Sequence, residues 1–90
     1  MTTREEVYKA IDSERNYQTS LWHTDEDLSN PLSIGEFLVL LEVYLRKAQD
    51  EWSVEPRPEI NSLNTVRKIA GIAVNCMEQN GAPPRKGFED

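Results

Sequence analysis

Apolar residues recur at helical spacing in three segments of the chain. In the first segment they share one helical face: Val7, Ala10, Ile11 and Leu21. Two threonines, each followed three residues later by a glutamate, have the spacing of a capping box: Thr2 with Glu5, and Thr3 with Glu6. The pattern predicts a helix over about residues 3–20.

The second segment has the widest apolar face. Its members are Phe37, Leu38, Leu40, Leu41, Tyr44, Leu45, Ala48 and Trp52. Ser33 and Glu36 precede this run at capping-box spacing, so a helix is predicted over about residues 34–52. The stretch before it, from His23 to Pro31, holds threonine, three acids, serine, asparagine and proline, which favours a loop.

The third segment follows two prolines within residues 53–58 and ends at Asn80-Gly81, before Pro83-Pro84. One stripe of it is apolar: Ile60, Leu63, Val66, Ala70, Ala73 and Met77. Further apolar residues widen the stripe: Ile69, Ile72, Val74 and Cys76. A helix that is apolar almost all round is buried on several sides, so its extra faces are expected to meet another subunit. Gly71 is either a tolerated glycine or a point of close helix–helix approach.

These segments predict one all-α domain over residues 1–90. A short N-terminal helix accompanies a long antiparallel helical hairpin at about residues 33–81, and a polar tail occupies residues 82–90. A chain of 90 residues buries about 60–65% of its unfolded surface, which leaves a thin core. Assembly as a homo-oligomer would bury the remaining apolar area.

Charge and cysteine content narrow the functional classes. The formal net charge of −6 argues against bulk electrostatic binding to DNA, RNA or anionic membranes. The single cysteine, Cys76, cannot form an internal disulfide and lies in an apolar stretch, so it is predicted to be structural. No apolar run approaches 18 residues and the N-terminus lacks the pattern of a signal peptide, so a cytoplasmic protein is expected.

Motifs of enzyme chemistry are scarce. The one histidine, His23, lies beside Asp25, Glu26 and Asp27, either as a metal ligand or, more simply, in a solvated loop. Neither a P-loop nor a GxGxxG pattern is present. We therefore expect no metal, no cofactor and no catalytic residue.

A ligand site is predicted at the start of the third helix. Thr65, Arg67 and Lys68 place a hydroxyl and two cations beside an apolar stretch, and the planar fork of arginine suits phosphate. The amides at the helix start after Ser33 also favour an anion. Tyr17 and Trp22 can stack on bases. The alternatives are that Arg67 and Lys68 form a solvated face and that the aromatic residues cover the hairpin.

Two family resemblances bear on function. The residues Glu14-Arg15-Asn16-Tyr17-Gln18, Leu21-Trp22 and Gly35-Glu36-Phe37 are similar to the opening of MazG-like nucleotide pyrophosphohydrolases. That family implies acidic motifs on two helices that hold Mg²⁺. Here Glu36 and Glu42 are six residues apart, and residues 61–77 contain no acid, so half of the metal site is missing.

The second resemblance covers residues 33–85. The residues that carry the resemblance are Ser33–Phe37 through Tyr44–Ala48, then Thr65–Ala70 through Cys76–Gly81. This segment resembles the hairpin shared by phage anti-CBASS sponges and some anti-Thoeris sponges. It implies a compact homo-oligomer, a hexamer, that sequesters cyclic oligonucleotide second messengers in the cytoplasm of the host.

The sponge resemblance also implies roles for individual residues. Tyr17 corresponds to a tyrosine that stacks on a base of a cyclic dinucleotide between subunits, with Tyr8 in reserve. Ser33 supplies a hydroxyl and Arg67 binds phosphate where cyclic trinucleotides are held. A lysine is expected in the loop before the second helix, but none lies between Trp22 and Ser33.

The function predicted is immune evasion by binding cyclic di- or trinucleotides without cleaving them. One alternative is a MazG-like, Mg²⁺-dependent nucleoside triphosphate pyrophosphohydrolase. The other is a small helical protein-interaction module, in which the acidic residues 24–27 meet a basic partner.

Overall fold

A computed structural model describes residues 1–21, 32–54 and 59–87, and its regular structure in these ranges is entirely helical. The helices are α1 (Arg4–Leu21), α2 (Ile34–Trp52) and α3 (Glu59–Asn80). The predicted all-α class is confirmed, and the bounds agree with the predicted ones to within a residue or two. Trp22 and the predicted loop from His23 to Pro31 lie outside the described residues.

Local side-chain bonds explain where the helices begin. Of the two possible threonine caps, the structure forms the one at Thr3, whose Oγ1 accepts a 3.2 Å hydrogen bond from the backbone N–H of Glu6. At α2, the backbone N–H of Glu36 donates to Ser33 Oγ at 3.1 Å, and the backbone N–H of Ser33 donates to the Glu36 carboxylate at 3.0 Å. The predicted capping box is therefore confirmed. Hydrogen bonding of the Glu36 carboxylate to Ser33, first to its backbone N–H and then to its side chain, lowers the pKa of Glu36.

The end of α3 follows from a glycine. Gly81 has φ of +113°, a backbone conformation that glycine adopts without a steric penalty. Its N–H donates to the Met77 carbonyl at 2.8 Å, which satisfies one of the carbonyls left unpaired at a helix end. The predicted stop at Asn80-Gly81 is confirmed.

Helix α3 is the central element, because α1 and α2 both pack against it. The backbone N–H of Leu32, just before α2, donates to the side-chain oxygen of Gln79 at 2.9 Å, near the end of α3. Towards the other end, the Thr65 hydroxyl donates to the Glu51 carboxylate. The first residues of α2 therefore lie beside the last residues of α3.

The core within one chain is small. Phe37 and Ile72 are each 1% exposed, and Ala48 is the third buried apolar residue among those described. The other buried side chains are polar: Glu14, Gln18, Thr65 and Asn75. Much of the apolar surface that the sequence pattern assigned to the interior remains exposed on the single chain. No helix in the described part of the chain is long and apolar enough to span a membrane.

Helix α1 packs against α3 mainly through two polar side chains on the same side as its apolar stripe. Val7 and Leu21 are 43% and 56% exposed, whereas Glu14 and Gln18 are buried against α3. Gly71 makes this contact possible, since a Cβ there would lie 2.9 Å from Gln18 Nε2 and 3.0 Å from Glu14 Cγ. Gly71 is thus a point of close approach between helices, and the two side chains that approach it are polar.

Candidate functional site

An open polar pocket of about 230 Å³ lies between α2 and α3. Its lining has three cations, two amides, one hydroxyl and one acid: Lys47, Arg67, Lys68, Asn61, Asn64, Thr65 and Glu51. The excess of cations is notable because the whole chain carries a net charge of −6. Such a lining attracts an anion with several oxygen atoms, such as a phosphate.

The guanidinium of Arg67 is oriented by two neighbours. Its Nε donates to Glu14 Oε1 at 2.9 Å, and its Nη1 donates to Asn64 Oδ1 at 2.8 Å. The Arg67 side chain nevertheless remains 42% exposed. Its planar fork is therefore held in one orientation while staying accessible to a ligand.

Glu14 comes to this site from a different helix. Its side chain is 5% exposed, and a carboxylate at that depth needs a charged or hydrogen-bonding partner. Arg67 supplies the charge, and Gln18 Nε2 donates to Glu14 Oε2 at 3.2 Å. The same Gln18 nitrogen lies 3.3 Å from the Lys68 carbonyl. The second half of α1 is thus attached to the part of α3 that lines the pocket.

The two lysines of the pocket approach one aromatic ring. The ammonium nitrogens of Lys68 and Lys47 lie 5.6 Å and 5.9 Å from the centroid of the Tyr44 ring. At these distances the ring face attracts an ammonium group through cation–π interaction. Tyr44 therefore favours a convergent placement of two positive charges that would otherwise repel each other.

Thr65 and Glu51 add a hydroxyl and a carboxylate to the cationic lining of the pocket. The Thr65 residue is 4% exposed, and its hydroxyl donates to the Glu51 carboxylate. An acid at this position repels phosphate but accepts hydrogen bonds from hydroxyl or amino groups. The pocket thus presents anion-binding groups and hydrogen-bond acceptors next to each other, a combination that suits a nucleotide.

Three of the six predicted site residues line this pocket, namely Thr65, Arg67 and Lys68. Ser33 does not join them within one chain. It follows Leu32, which bonds to Gln79, and Gln79 is twelve residues after Arg67, or about 18 Å along α3. The Ser33 hydroxyl oxygen already accepts the capping bond from Glu36.

The two predicted tyrosines lie on the surface of α1. Tyr17 is 56% exposed and follows Glu14 by one helical turn, which places it nearer to the pocket than Tyr8. Tyr8 is 62% exposed and precedes Glu14 by six residues, or about 9 Å along the helix. Either ring is accessible to a ligand or to a neighbouring molecule.

Sequence reasoning missed the pocket residues that α2 contributes. Lys47 and Glu51 are four residues apart, so they share one side of that helix, and this spacing was the available signal. Asn61 and Asn64 lie just before Thr65 on α3, and no role was predicted for them. Tyr44 was counted only as part of the apolar face.

Acidic and other metal-ligating side chains do not cluster in the described ranges. Across residues 1–21, 32–54 and 59–87, no group of three or more His, Cys, Asp or Glu side chains could hold a metal ion. His23, Asp25, Glu26 and Asp27 lie outside these ranges.

Comparisons of the chain with protein-family models, with curated proteins and with solved structures found no match.

Proposed function

We propose that the protein binds cyclic di- or trinucleotides and sequesters them without cleavage. The observation that supports this most directly is the pocket in which Arg67, Lys68 and Lys47 meet hydrogen-bonding groups. The proposed setting is the host cytoplasm, where a binder present in stoichiometric amount lowers the free concentration of a signalling nucleotide. The resemblance of residues 33–85 to phage sponges contributes the ligand class.

In this proposal each part of the pocket meets a different part of the nucleotide. Arg67 donates to phosphate oxygens, with Lys68 and Lys47 supplying further positive charge. Glu51 and the two asparagines accept hydrogen bonds from ribose hydroxyl or base amino groups. Orientation of Arg67 by Glu14 and Asn64 reduces the entropy lost when the ligand binds.

The dimensions of the pocket favour a site completed by neighbouring chains. Ligand sites commonly have volumes of about 300–1,000 Å³, whereas one chain provides about 230 Å³ here. One chain therefore suits a single phosphate with its sugar. In the proposed homo-oligomer, a hexamer by the resemblance, exposed Tyr17 or Tyr8 of one copy stacks on a base held by another.

The same assembly gives Ser33 a role. Since Ser33 and Arg67 are about 18 Å apart along α3, they would meet at one ligand only across two copies. The proposed arrangement of residues 33–81 is a long antiparallel hairpin. The bonds from Leu32 to Gln79 and from Thr65 to Glu51 support it, because they join opposite ends of the two helices.

The first experiment is a thermal-stability screen of the purified protein against cyclic di- and trinucleotides. A ligand that binds only the folded state adds RT ln(1 + [L]/Kd) to stability, about 2.7 kcal/mol at a hundredfold excess over Kd. We expect a large upward shift in Tm, and intact ligand when the protein is denatured and the released compound is identified. Absence of any shift, or recovery of cleaved ligand, would contradict the proposal.

Two arginine variants link the result to the pocket. Arg67→Ala should abolish the ligand-induced shift. Arg46→Ala is the matched control, because Arg46 lies on α2, is 73% exposed and pairs with Glu42 at 2.9 Å outside the pocket. If both variants keep the shift, the nucleotide binds elsewhere. If Mg²⁺-dependent release of pyrophosphate from nucleoside triphosphates is found instead, the MazG-like alternative replaces sequestration.

A further inference from the structure

Exposed apolar side chains form a line along each helix of the α2–α3 pair. On α2, Ile34, Leu38 and Leu45 are 54%, 58% and 52% exposed. Their separations of four and seven residues place them on one side of the helix, within about 40° of each other. Exposure of three large aliphatic side chains in one line is unusual on a chain that remains single.

Helix α3 has a matching line. Leu63, Val66 and Met77 are 62%, 51% and 45% exposed. At about 100° per residue they lie within about 60° of each other around the helix. The six residues Ile34, Leu38, Leu45, Leu63, Val66 and Met77 are here called the apolar face.

The apolar face lies on the side of the helix pair away from the pocket. Lys47, which lines the pocket, follows Leu45 by two residues, or about 200° around α2. Lys68, also in the pocket, follows Val66 by the same two residues on α3. Lys47 and Lys68 therefore lie on one side of the helix pair and the two aliphatic lines on the other, with Arg67, four residues after Leu63, at the boundary.

The size of the apolar face suits association. Helix α2 has 19 residues and is thus about 28 Å long, and two adjacent helices are about 20 Å wide, so the whole side of the pair that carries the apolar face covers roughly 560 Å² per chain. Two such faces bury about 1,100 Å², above the roughly 1,000 Å² that marks a specific interface. Removal of the apolar part of this surface from water favours association.

The lack of charge on the apolar face favours a second copy of the chain as the molecule that packs on it. The six side chains of the apolar face are uncharged, although the chain carries −6 overall. Two copies that meet through these six side chains therefore place no charged member of the apolar face against another. A face that meets itself about a two-fold axis needs no second protein, and two-fold pairing is the commonest form of self-association.

We infer that a second copy of this chain packs on the apolar face, so that α2 and α3 of both copies form a four-helix core with one pocket on each outer side. This inference rests on the homo-oligomer proposed above, for which it names the contact surface, but it does not depend on the ligand. Larger assemblies then require further contacts elsewhere on the pair.

The test compares two positions on α2 that are equally exposed in one chain. Leu45 is 52% exposed on the apolar face, and Val43 is 56% exposed on another side of the same helix. Leu45→Glu should reduce the mass in sedimentation equilibrium towards the 10.4 kDa of a single chain, while Val43→Glu should leave the mass unchanged. Circular dichroism of both variants checks that helix content is retained.

A milder pair of variants decides the question if a buried glutamate prevents folding. In a Cys76→Ser background, Leu45→Cys and Val43→Cys are treated with a thiol-alkylating reagent. We expect Cys at position 45 to react at least tenfold more slowly at micromolar protein than at a dilution where the mass is that of one chain. Position 43 should react equally fast at both concentrations.

The outcomes separate this inference from the proposed ligand. A wild-type mass of one chain at micromolar concentration, or equal reactivity at positions 45 and 43, would overturn the inference. No nucleotide is present in these measurements. If the protein stays a single chain but binds nucleotide, only the inferred contact surface is contradicted. If it associates but binds no nucleotide, only the proposed ligand is contradicted.

Discussion

Replacement of Gly71 by alanine tests how closely α1 and α3 approach. The new Cβ would lie 2.9 Å from Gln18 Nε2 and 3.0 Å from Glu14 Cγ, closer than such contacts normally are. Either side chain must move, which strains the bonds from Gln18 to Glu14 and to the Lys68 carbonyl. The bond to the Lys68 carbonyl joins α1 to α3, and the bond within α1 holds Glu14 in place, so the variant should loosen the contact between the two helices.

Two opposing effects set the size of the change. Alanine is better than glycine inside a helix by about 1 kcal/mol, which favours the variant. Overpacking costs about 1–3 kcal/mol, and each hydrogen bond contributes about 0.5–1.5 kcal/mol. With two bonds strained, we expect Gly71→Ala to lower the free energy of unfolding by about 1–2 kcal/mol.

A second helical glycine provides the control. A Cβ at Gly35 would meet only Ser33 Oγ, at 3.9 Å, which is an ordinary contact. Gly35→Ala should therefore raise the free energy of unfolding, by up to about 1 kcal/mol. Both variants are compared with the wild type by urea denaturation at one protein concentration, because association contributes to stability.

The result that would refute this reasoning is stabilisation of both glycine variants by similar amounts. That would mean that Glu14 and Gln18 move aside freely and do not fix the position of α1. A double-mutant cycle with Gln18→Ala sharpens the test. The cost of Gly71→Ala should decrease when the Gln18 amide is already absent, and an unchanged cost would assign the strain to another contact.

Three other predictions concern charge. Arg67→Ala leaves the buried Glu14 carboxylate without its cation and should lower the unfolding free energy in urea by about 1–3 kcal/mol, with partial recovery in the double variant with Glu14→Gln. The pKa of Glu36 is lowered in the folded state. Its contribution to folding stability is therefore complete above the pKa of the unfolded chain, near the ordinary value of 4.5, and is lost as pH falls through the lowered folded pKa. The stability difference between wild type and Glu36→Gln should therefore be largest near neutral pH and shrink below pH 4.5 in urea titrations. Lys47→Met should weaken cyclic nucleotide binding about tenfold by calorimetry, or about 1.4 kcal/mol, while Arg46→Met should not.

Each of these has a contradicting result. Unchanged stability of Arg67→Ala would mean that Glu14 finds solvent or another partner. If the stability difference between wild type and Glu36→Gln is constant across pH, the charge of Glu36 does not contribute to the stability of the capping box. Equal losses of affinity in the two methionine variants would indicate a general effect of net charge.

The helices were predictable because their signals are local. Thr3 with Glu6, Ser33 with Glu36, and Asn80-Gly81 each act through bonds within a few residues. Such bonds depend little on the rest of the fold, and the predicted bounds were accurate to within a residue or two.

The packing of α1 was not predictable in the same way. Its apolar stripe lies on the same side of the helix as Glu14 and Gln18, but at the contact with α3 the structure buries these two polar side chains, because Gly71 leaves room for them. The preference arises from a contact more than fifty residues away in sequence, which periodicity within α1 does not contain. Tertiary contacts of this kind override local patterns.

Only part of the candidate site was predicted, because the rest also depends on tertiary contacts. Thr65, Arg67 and Lys68 are neighbours in sequence, so one segment revealed them. Lys47 joins them only because α2 packs beside α3. Ser33 and Arg67 seemed compatible with one site, yet the same packing places them near opposite ends of α3.

The attachment of Arg67 to Glu14 has a thermodynamic consequence for both partners. Docking of α1 on α3 and orientation of the guanidinium are two aspects of one equilibrium, because the same 2.9 Å ion pair joins them. Coupling between two binding events is reciprocal by necessity. Any anion that prefers the oriented guanidinium must also favour the docked helix, and backbone amides of α1 should then exchange their hydrogens more slowly when the pocket is filled.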